Sequence, residues 1–435
     1  MHPLGPAARQ CSDAIRRPRP KSPRSAVTPR IMKAMVARAA MRRAVVTMAV
    51  SLAFVTTACS SRQPAGVREF PSAAGNSAAS SVSPSGPPPA APSSPAPVAP
   101  ASKPAASAAP VPAGFAPASV TFVSADTGFV LGTAPCNAGT CTILVRTADA
   151  GRSWSFVSTL PPAAGGSDPA VSKVRFANPN DGWVFGAQLW STHDGGHQWK
   201  QITQADPVVD LEASAGVAYE ISGTQVLRTA VGSDSVSPVP GLAPRAGLGE
   251  IALHGKAVWI VTGGGPGASS LVTSSDGASW RTLPDPCTGL GADRALGGVA
   301  PVDSTRIFLL CVGNPGAGSE SKHVLFSTDA GAHATPAKSD APRGGDTGAG
   351  DFAAASARVV AIAARSGASW VYRSADGGAT WQTPLQEGDG GVGYFDLGFT
   401  TPAQGVVIYG QPGGPAPSKL LMTRDAGATW AAAGF

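Results

Sequence analysis

Charge is scarce in this chain. Only 14% of its 435 residues are Asp, Glu, Lys or Arg, and aromatic residues make up 6%, with just four tyrosines. Against that scarcity, Gly and Pro together fill 94 positions, a turn-rich composition that argues for short strands and against helices. Positive charge is also missing where it would matter for nucleic acid. Residues 1–58 hold eleven Lys or Arg and one acid, which leaves 22 basic against 26 acidic residues from Cys59 onward. The overall charge of +6 therefore belongs to the leader, and the rest offers no electrostatic case for nucleic-acid binding. No apolar run reaches the roughly 20 residues of a membrane-spanning helix. The four cysteines after Cys59 have neither a histidine beside them nor zinc-site spacing, and no cofactor signature is present.

The stretch Met41-Arg-Arg-Ala-Val-Val-Thr-Met-Ala-Val-Ser-Leu-Ala-Phe-Val-Thr-Thr-Ala-Cys59 has a charged start, a short apolar run and small residues before a cysteine. That is the layout of an export signal. It resembles a bacterial lipoprotein signal, and the resemblance implies lipidation at Cys59, cleavage after residue 58 and anchoring to the outer face of a membrane. Residues 59–114 are almost entirely Ser, Ala, Pro, Gly and Val. Such a segment buries too little apolar surface to offset the entropy of ordering it, so a disordered tether spanning on the order of 40 Å is expected.

Residues 115–435 repeat. Thr147-Ala-Asp149-Ala-Gly151-Arg-Ser-Trp154 returns around Asp194, Gly196 and Trp199, around Asp376, Gly378 and Trp381, and around Asp425, Gly427 and Trp430. Asp329 and Gly331 keep the turn, with Ala334 where Trp belongs. Gly277 and Trp280 keep the end of the motif, with either Ser275 or a one-residue-shifted Asp276 in the acid's place. Successive Asp positions lie 45, 47 and 49 residues apart, and the doubled gap after Asp194 predicts a decayed copy at Val226-Leu-Arg-Thr-Ala-Val231. Seven units follow. A second phased pattern, Val120-Thr-Phe122 to Gly128-Phe-Val-Leu-Gly132 and Val174-Arg-Phe176 to Gly182-Trp-Val-Phe-Gly186, reads as strand, turn, strand. The expected fold is all-β: a seven-bladed β-propeller with four-stranded antiparallel blades.

The recurring acid should accept backbone N–H bonds in a tight turn, the Gly should supply positive φ, and the Trp should pack on the blade. An acid that recurs in blade after blade is a structural part, because an active site occurs once. His193 and His197 fall inside one such turn, so their His-x-x-x-His spacing is not a zinc helix. Cys136 and Cys141 flank a short turn and are the first choice for one disulfide; Cys287 with Cys311 follows by elimination.

These turns resemble the Asp-box repeats of sialidases and other propellers, across about 320 residues. Sialidase activity would require an arginine clamp, a tyrosine nucleophile with a glutamate, and an aspartic acid. No Arg-Ile-Pro-type motif is present. Tyr394, near Glu387 and Asp389, is the one tyrosine that could face a central funnel, with a core-facing ring as the bland alternative. Arg245, Arg294, Arg343 and Arg365 are the arginines expected on the loop face. The Gly-Trp-Val-x-Gly pattern followed by the Asp-box is also similar to the photosystem II assembly and stability factor family. The resulting expectation is a monomeric, non-enzymatic binding or assembly protein with a protein or glycan partner on its loop face. A sialidase-type hydrolase is the alternative.

Overall fold

The computed structural model describes residues 109–435 apart from 138, 167–168, 264–266, 292 and 349. The export signal, Cys59 and the tether up to residue 108 lie outside the described residues. Seven four-stranded sheets follow one another along the chain, each built from four consecutive strands. Blade 1 pairs Ala116–Phe122, Gly128–Cys136, Gly139–Thr147 and Ser155–Leu160 in order, all antiparallel. Blades 2 to 7 repeat this order, with inner strands Lys173–Phe176, Val208–Ser214, Leu248–His254, Arg294–Pro301, Phe352–Ala354 and Tyr394–Phe399.

Because every blade is complete in itself, the ring closes without exchanging a strand, and side chains must hold the seam. Seven apolar clusters do so, one for each pair of neighbouring blades. The cluster joining last blade to first combines Val406, Ile408, Leu420 and Met422 with Val130, Ile143 and Val145. Burial of this kind contributes about 25 cal/mol per Å² and gives the ring its cohesion. The chain is already packed at Ala109, whose carbonyl accepts the Phe156 amide at 2.9 Å on the outer strand of blade 1.

The Asp-box turns join the third and outer strands, and five share one network. In blade 1 the Thr147 hydroxyl donates to Asp149 at 2.8 Å and accepts the Gly151 amide at 2.8 Å, while Asp149 accepts the Ser153 amide at 2.9 Å. Blade 4 resolves the open position: the Ser274 hydroxyl donates to Asp276 and accepts the Gly277 amide, so its turn is one residue shorter and Asp276 is the acid. The Gly carries a second duty. A Cβ on Gly151 would lie 2.6 Å from Met422 of blade 7, one on Gly331 2.6 Å from Leu271 of blade 4, and one on Gly378 2.6 Å from Ala337 of blade 5. Each turn is thus pressed against the preceding blade.

The decayed unit is blade 3. Its third strand, Gln225–Ala230, leads into a turn with Val231 in the acid's place. There Asp234 instead accepts from blade 2: Ser191 Oγ at 2.6 Å, Lys200 Nζ at 2.8 Å and a His193 ring contact at 3.0 Å. Burial opposes the His193 charge, but hydrogen bonds to Asp181 and Asp234 outweigh it and raise the imidazole pKa. His193 therefore works as a bridge between blades. Both expected disulfides are formed, Cys136–Cys141 and Cys287–Cys311.

Candidate binding site at the mouth of the central channel

Inner strands present one comparable residue per blade to the central channel, each just before a buried apolar side chain. The buried set is Val120, Val174, Leu211, Ile251, Val299, Phe352 and Leu397. The residues preceding them are Ser119, Lys173, Asp210, Glu250, Gly298, Asp351 and Asp396. Two residues deeper than Lys173 and Asp210 lie Arg175 and Glu212. Five carboxylates and two cations thus come from five different blades.

Three of these residues lock neighbouring blades by accepting the next inner strand's amide. Ser119 Oγ accepts Val174 N at 3.1 Å, Asp210 accepts Ile251 N at 2.7 Å, and Asp396 accepts Val120 N at 2.8 Å. Arg175 then bridges across the channel, 2.6 Å from Glu212 and 2.8 Å from Asp396. Burial works against the Asp396 carboxylate, yet Arg175 and Lys173 outweigh it and lower its pKa. Glu212 goes the other way, raised by burial against the pull of Arg175. Asp396 itself sits at φ 57°, a left-handed conformation that costs a non-glycine residue about 1 kcal/mol. That strain aims its carboxylate at three donors at once.

Around this bridge the loop face opens into a recess of about 260 Å³, lined by Ser119, Lys173, Asp351, Arg365, Phe395 and Gln411 among others. The Arg365 guanidinium lies over the Phe395 ring, 4.5 Å from its centroid. Asp351 is 5% exposed and accepts the Gly348 amide at 2.9 Å; burial drives its pKa up to about 7. Glu250 is 8% exposed and has no hydrogen-bond partner among the described residues, and burial raises its pKa well above the ordinary range, with Asp210 and Asp351 adding to the effect. Among the described residues no three His, Cys, Asp or Glu side chains converge closely enough to hold a metal ion.

The residues singled out as catalytic candidates are arranged otherwise. Tyr394 is 2% exposed, packed in the cluster between blades 6 and 7 with its ring 5.2 Å from Tyr409. Burial first, then the nearby charge of Glu387, Tyr409 and Asp389, raises its hydroxyl pKa and keeps it protonated. Asp389 accepts the Ser369 hydroxyl at 2.8 Å and the Gly391 amide at 2.9 Å, a turn-forming role. Glu387 ends the outer strand of blade 6. The four loop-face arginines do not converge. Arg245 reaches Thr282, Arg294 pairs with Asp340 at 3.2 Å, Arg343 reaches Ser319, and only Arg365 borders the channel.

The axial residues went unremarked in the sequence because they share no residue type. The one available signal was positional, namely a polar residue before the first buried apolar residue of each unit.

No protein-family model matches the chain, and no curated protein matches it in sequence. Solved structures do match. YCF48 bound to a D1 peptide is 20% identical, over 73% of this chain and 96% of that one, with a TM-score of 0.46. YCF48 from Cyanidioschyzon merolae is 16% identical, over 73% and 98%, with a TM-score of 0.46. The β-propeller domain of the trilobed protease from Pyrococcus furiosus is 10% identical, over 74% and 98%, also at 0.46.

Proposed function

We propose that this is an exported, lipid-anchored binding protein that engages a protein ligand through the loop-face mouth of its channel and performs no chemistry on it. The observation that carries the reading is the recess around Ser119, Lys173, Asp351, Arg365 and Gln411, where side chains of four blades meet on a rigid ring. Rigid presentation of charges of both signs, beside the apolar Phe395, suits recognition, since little ordering entropy is left to lose on binding. Export and anchoring are supported by the Met41 to Cys59 layout, by the Pro-rich tether and by the paired cysteines of an oxidising compartment.

A photo-crosslinking residue placed at Gln411, and separately at Gln198 on the Asp-box face, tests the reading in cells carrying the full chain. Adducts from Gln411 and none from Gln198 are expected; the reverse pattern, or none from either, overturns it. The purified protein should leave sialyl- and aryl-glycosides intact, and hydrolysis would overturn the non-enzymatic part. Cys59→Ala should move the protein from the detergent phase to the aqueous phase, and identical partitioning overturns the anchor.

A further inference from the structure

Two cations remain at the channel mouth once the axial bridge is made. Arg175 is taken up by Glu212 and Asp396. Asp396 has both oxygens engaged, Oδ1 by Arg175 at 2.8 Å and Oδ2 by Ser119 Oγ at 2.6 Å and Val120 N at 2.8 Å. Asp351 accepts the Gly348 amide with one oxygen. Lys173 of blade 2 and Arg365 of blade 6 line the same recess of about 260 Å³, and neither side chain makes an ion pair or donates a hydrogen bond among the described residues.

Both cations are held in place by the fold. Arg365 ends the second strand of blade 6, Val360–Arg365, where its backbone exchanges hydrogen bonds with Asp346 at 2.9 and 3.1 Å. Its stem passes Gly393, where an added Cβ would lie 2.9 Å from Arg365 Cδ, and its guanidinium rests over the Phe395 ring. That contact fixes the guanidinium at the rim while its N–H groups stay available to an acceptor. Lys173 reaches from blade 2 toward the segment that carries Asp351, its Nζ 3.6 Å from where a Cβ on Gly350 would lie. A second cavity of about 380 Å³ adjoins the recess, lined by Thr133, Thr140, Gly165 and Pro412 among others and by no charged side chain. The loop Gln411-Pro412-Gly413 borders both.

We propose that the recess binds a carboxylate of a peptide ligand between the Lys173 ammonium and the Arg365 guanidinium, with the adjoining residues of the peptide in the uncharged cavity. The proposal rests on the loop-face binding reading and specifies its chemistry. The planar fork of an arginine matches the two oxygens of a carboxylate, and a lysine closes the other side as a point charge. Asp351 and Asp396 also line the recess, so a single negative charge is tolerated where a dianion such as phosphate is repelled. Arg175, Glu212, Asp210 and Glu250 lie behind them around the channel. The two rim cations disfavour a lysine or arginine side chain at this place.

The test uses the full chain and four tripeptides at constant ionic strength, titrated by saturation-transfer NMR. N-acetyl-Gly-Glu-Gly-amide carries only a side-chain carboxylate, N-acetyl-Gly-Gln-Gly with a free C-terminus only a terminal one, N-acetyl-Gly-Gln-Gly-amide neither, and N-acetyl-Gly-Lys-Gly-amide a cation. At least one carboxylate peptide should bind about tenfold more tightly than the neutral one, a 1.4 kcal/mol preference, and which of the two does so identifies the source of the carboxylate. Lys173→Gln combined with Arg365→Gln should abolish the preference. Arg365→Gln alone, at an exposed position, should weaken it even if the double variant fails to fold. Binding should weaken from pH 6 to pH 8, because Asp351 ionises near 7 while both peptide carboxylates are already charged. Asp351→Asn should keep the preference and lose that pH dependence.

Equal affinity for the neutral and both carboxylate peptides overturns the proposal, as does a preference that survives Arg365→Gln undiminished. Preference for the Lys peptide overturns it in favour of the acids as the binding groups. Tighter binding of inorganic phosphate than of either carboxylate peptide overturns it in favour of a phosphate site. Crosslinking from Gln411 without any carboxylate preference defeats this inference and spares the loop-face reading; absence of crosslinking defeats that reading itself.

Discussion

The Lys322 ammonium lies 2.6 Å from the carbonyl oxygen of Gly345, although the two residues belong to different segments of blade 5 and the loop that leaves it. Lys322 is fully buried, and its Nζ also donates to the carbonyls of Glu320, Arg343 and Gly344 at 3.1–3.2 Å. Three successive carbonyl oxygens of the loop, those of Arg343, Gly344 and Gly345, are thereby tied to the third strand of blade 5 by one side chain. The charge therefore fixes the course of the chain between blades 5 and 6.

Lys322→Met should cost about 3–5 kcal/mol, because the carbonyl oxygens it serves would remain buried without a donor. Urea unfolding measures this, and a loss under about 1 kcal/mol would refute the role. A pH signature accompanies it. Burial lowers the Lys322 pKa to about 8 from its ordinary 10.5, so between those values the unfolded chain binds more protons and stability rises with pH. The Met variant should lack that rise.

The Asp-box turns carry an opposing pair of substitutions. Gly378 has φ 89° and would press a Cβ to 2.6 Å from Ala337 of the preceding blade, so Gly378→Ala should destabilise by about 2–4 kcal/mol. Ala426 occupies the preceding turn position at φ 59°, where blades 2 and 6 use Gly195 and Gly377. Ala426→Gly should stabilise by about 1 kcal/mol through relief of left-handed strain. Thermal unfolding of the two variants must move in opposite directions.

Acid sensitivity should trace to the same turns. Asp149 is held near 2 by the Ser153 hydroxyl and amide and by Thr147; Asp376 is held near 2 by the Thr380 hydroxyl and amide and by Ser374. Their folded values lie below the ordinary 3.8, so their stabilisation is full above about pH 5 and is lost as pH falls toward 2. Replacing both with Asn should flatten urea midpoints measured between pH 2.5 and 5, and an unchanged slope would show that other groups govern acid unfolding.

The two disulfides should differ in worth. Cys287–Cys311 closes a sequence separation of 24 and sits in the core between blades 4 and 5, whereas Cys136–Cys141 closes one of 5 at a turn. Chain entropy alone assigns about 3.5 kcal/mol to the first and about 2 kcal/mol to the second. Paired Cys→Ala variants compared by urea unfolding should keep that order.

Removing Asp396 should loosen the ring at its closure. Asp396→Ala strips an acceptor from Arg175, Ser119 and Val120, so about 3–5 kcal/mol of stability should be lost. Hydrogen exchange should quicken first in the inner strands of blades 1 and 7. Uniform acceleration across all blades would count against a local role.

Much of the architecture was legible in the sequence because a blade is a local object. Its four strands are consecutive, and its turn draws on residues within about eight positions, so Thr147, Asp149, Gly151 and Trp154 announce it wherever it recurs. Blade 3 could be counted only from the doubled gap, since Asp234 took over the work of the missing acid by bonding across to blade 2. Two facts about the Asp-box glycine were also hidden: its close approach to the preceding blade, and the positive φ of the residue before it.

The sequence alone determined the repeat, its number and the recurring aspartates' structural role, because those depend on short-range hydrogen bonds within one unit. Only the tertiary structure decided where charge accumulates. Lys173, Arg175, Glu212, Glu250, Asp351 and Asp396 come from five blades and meet because seven inner strands converge on one axis. Within any single unit each is an unremarkable polar residue beside a buried one. Ring closure brings them together in one shared space of lowered dielectric, where their charges act on one another.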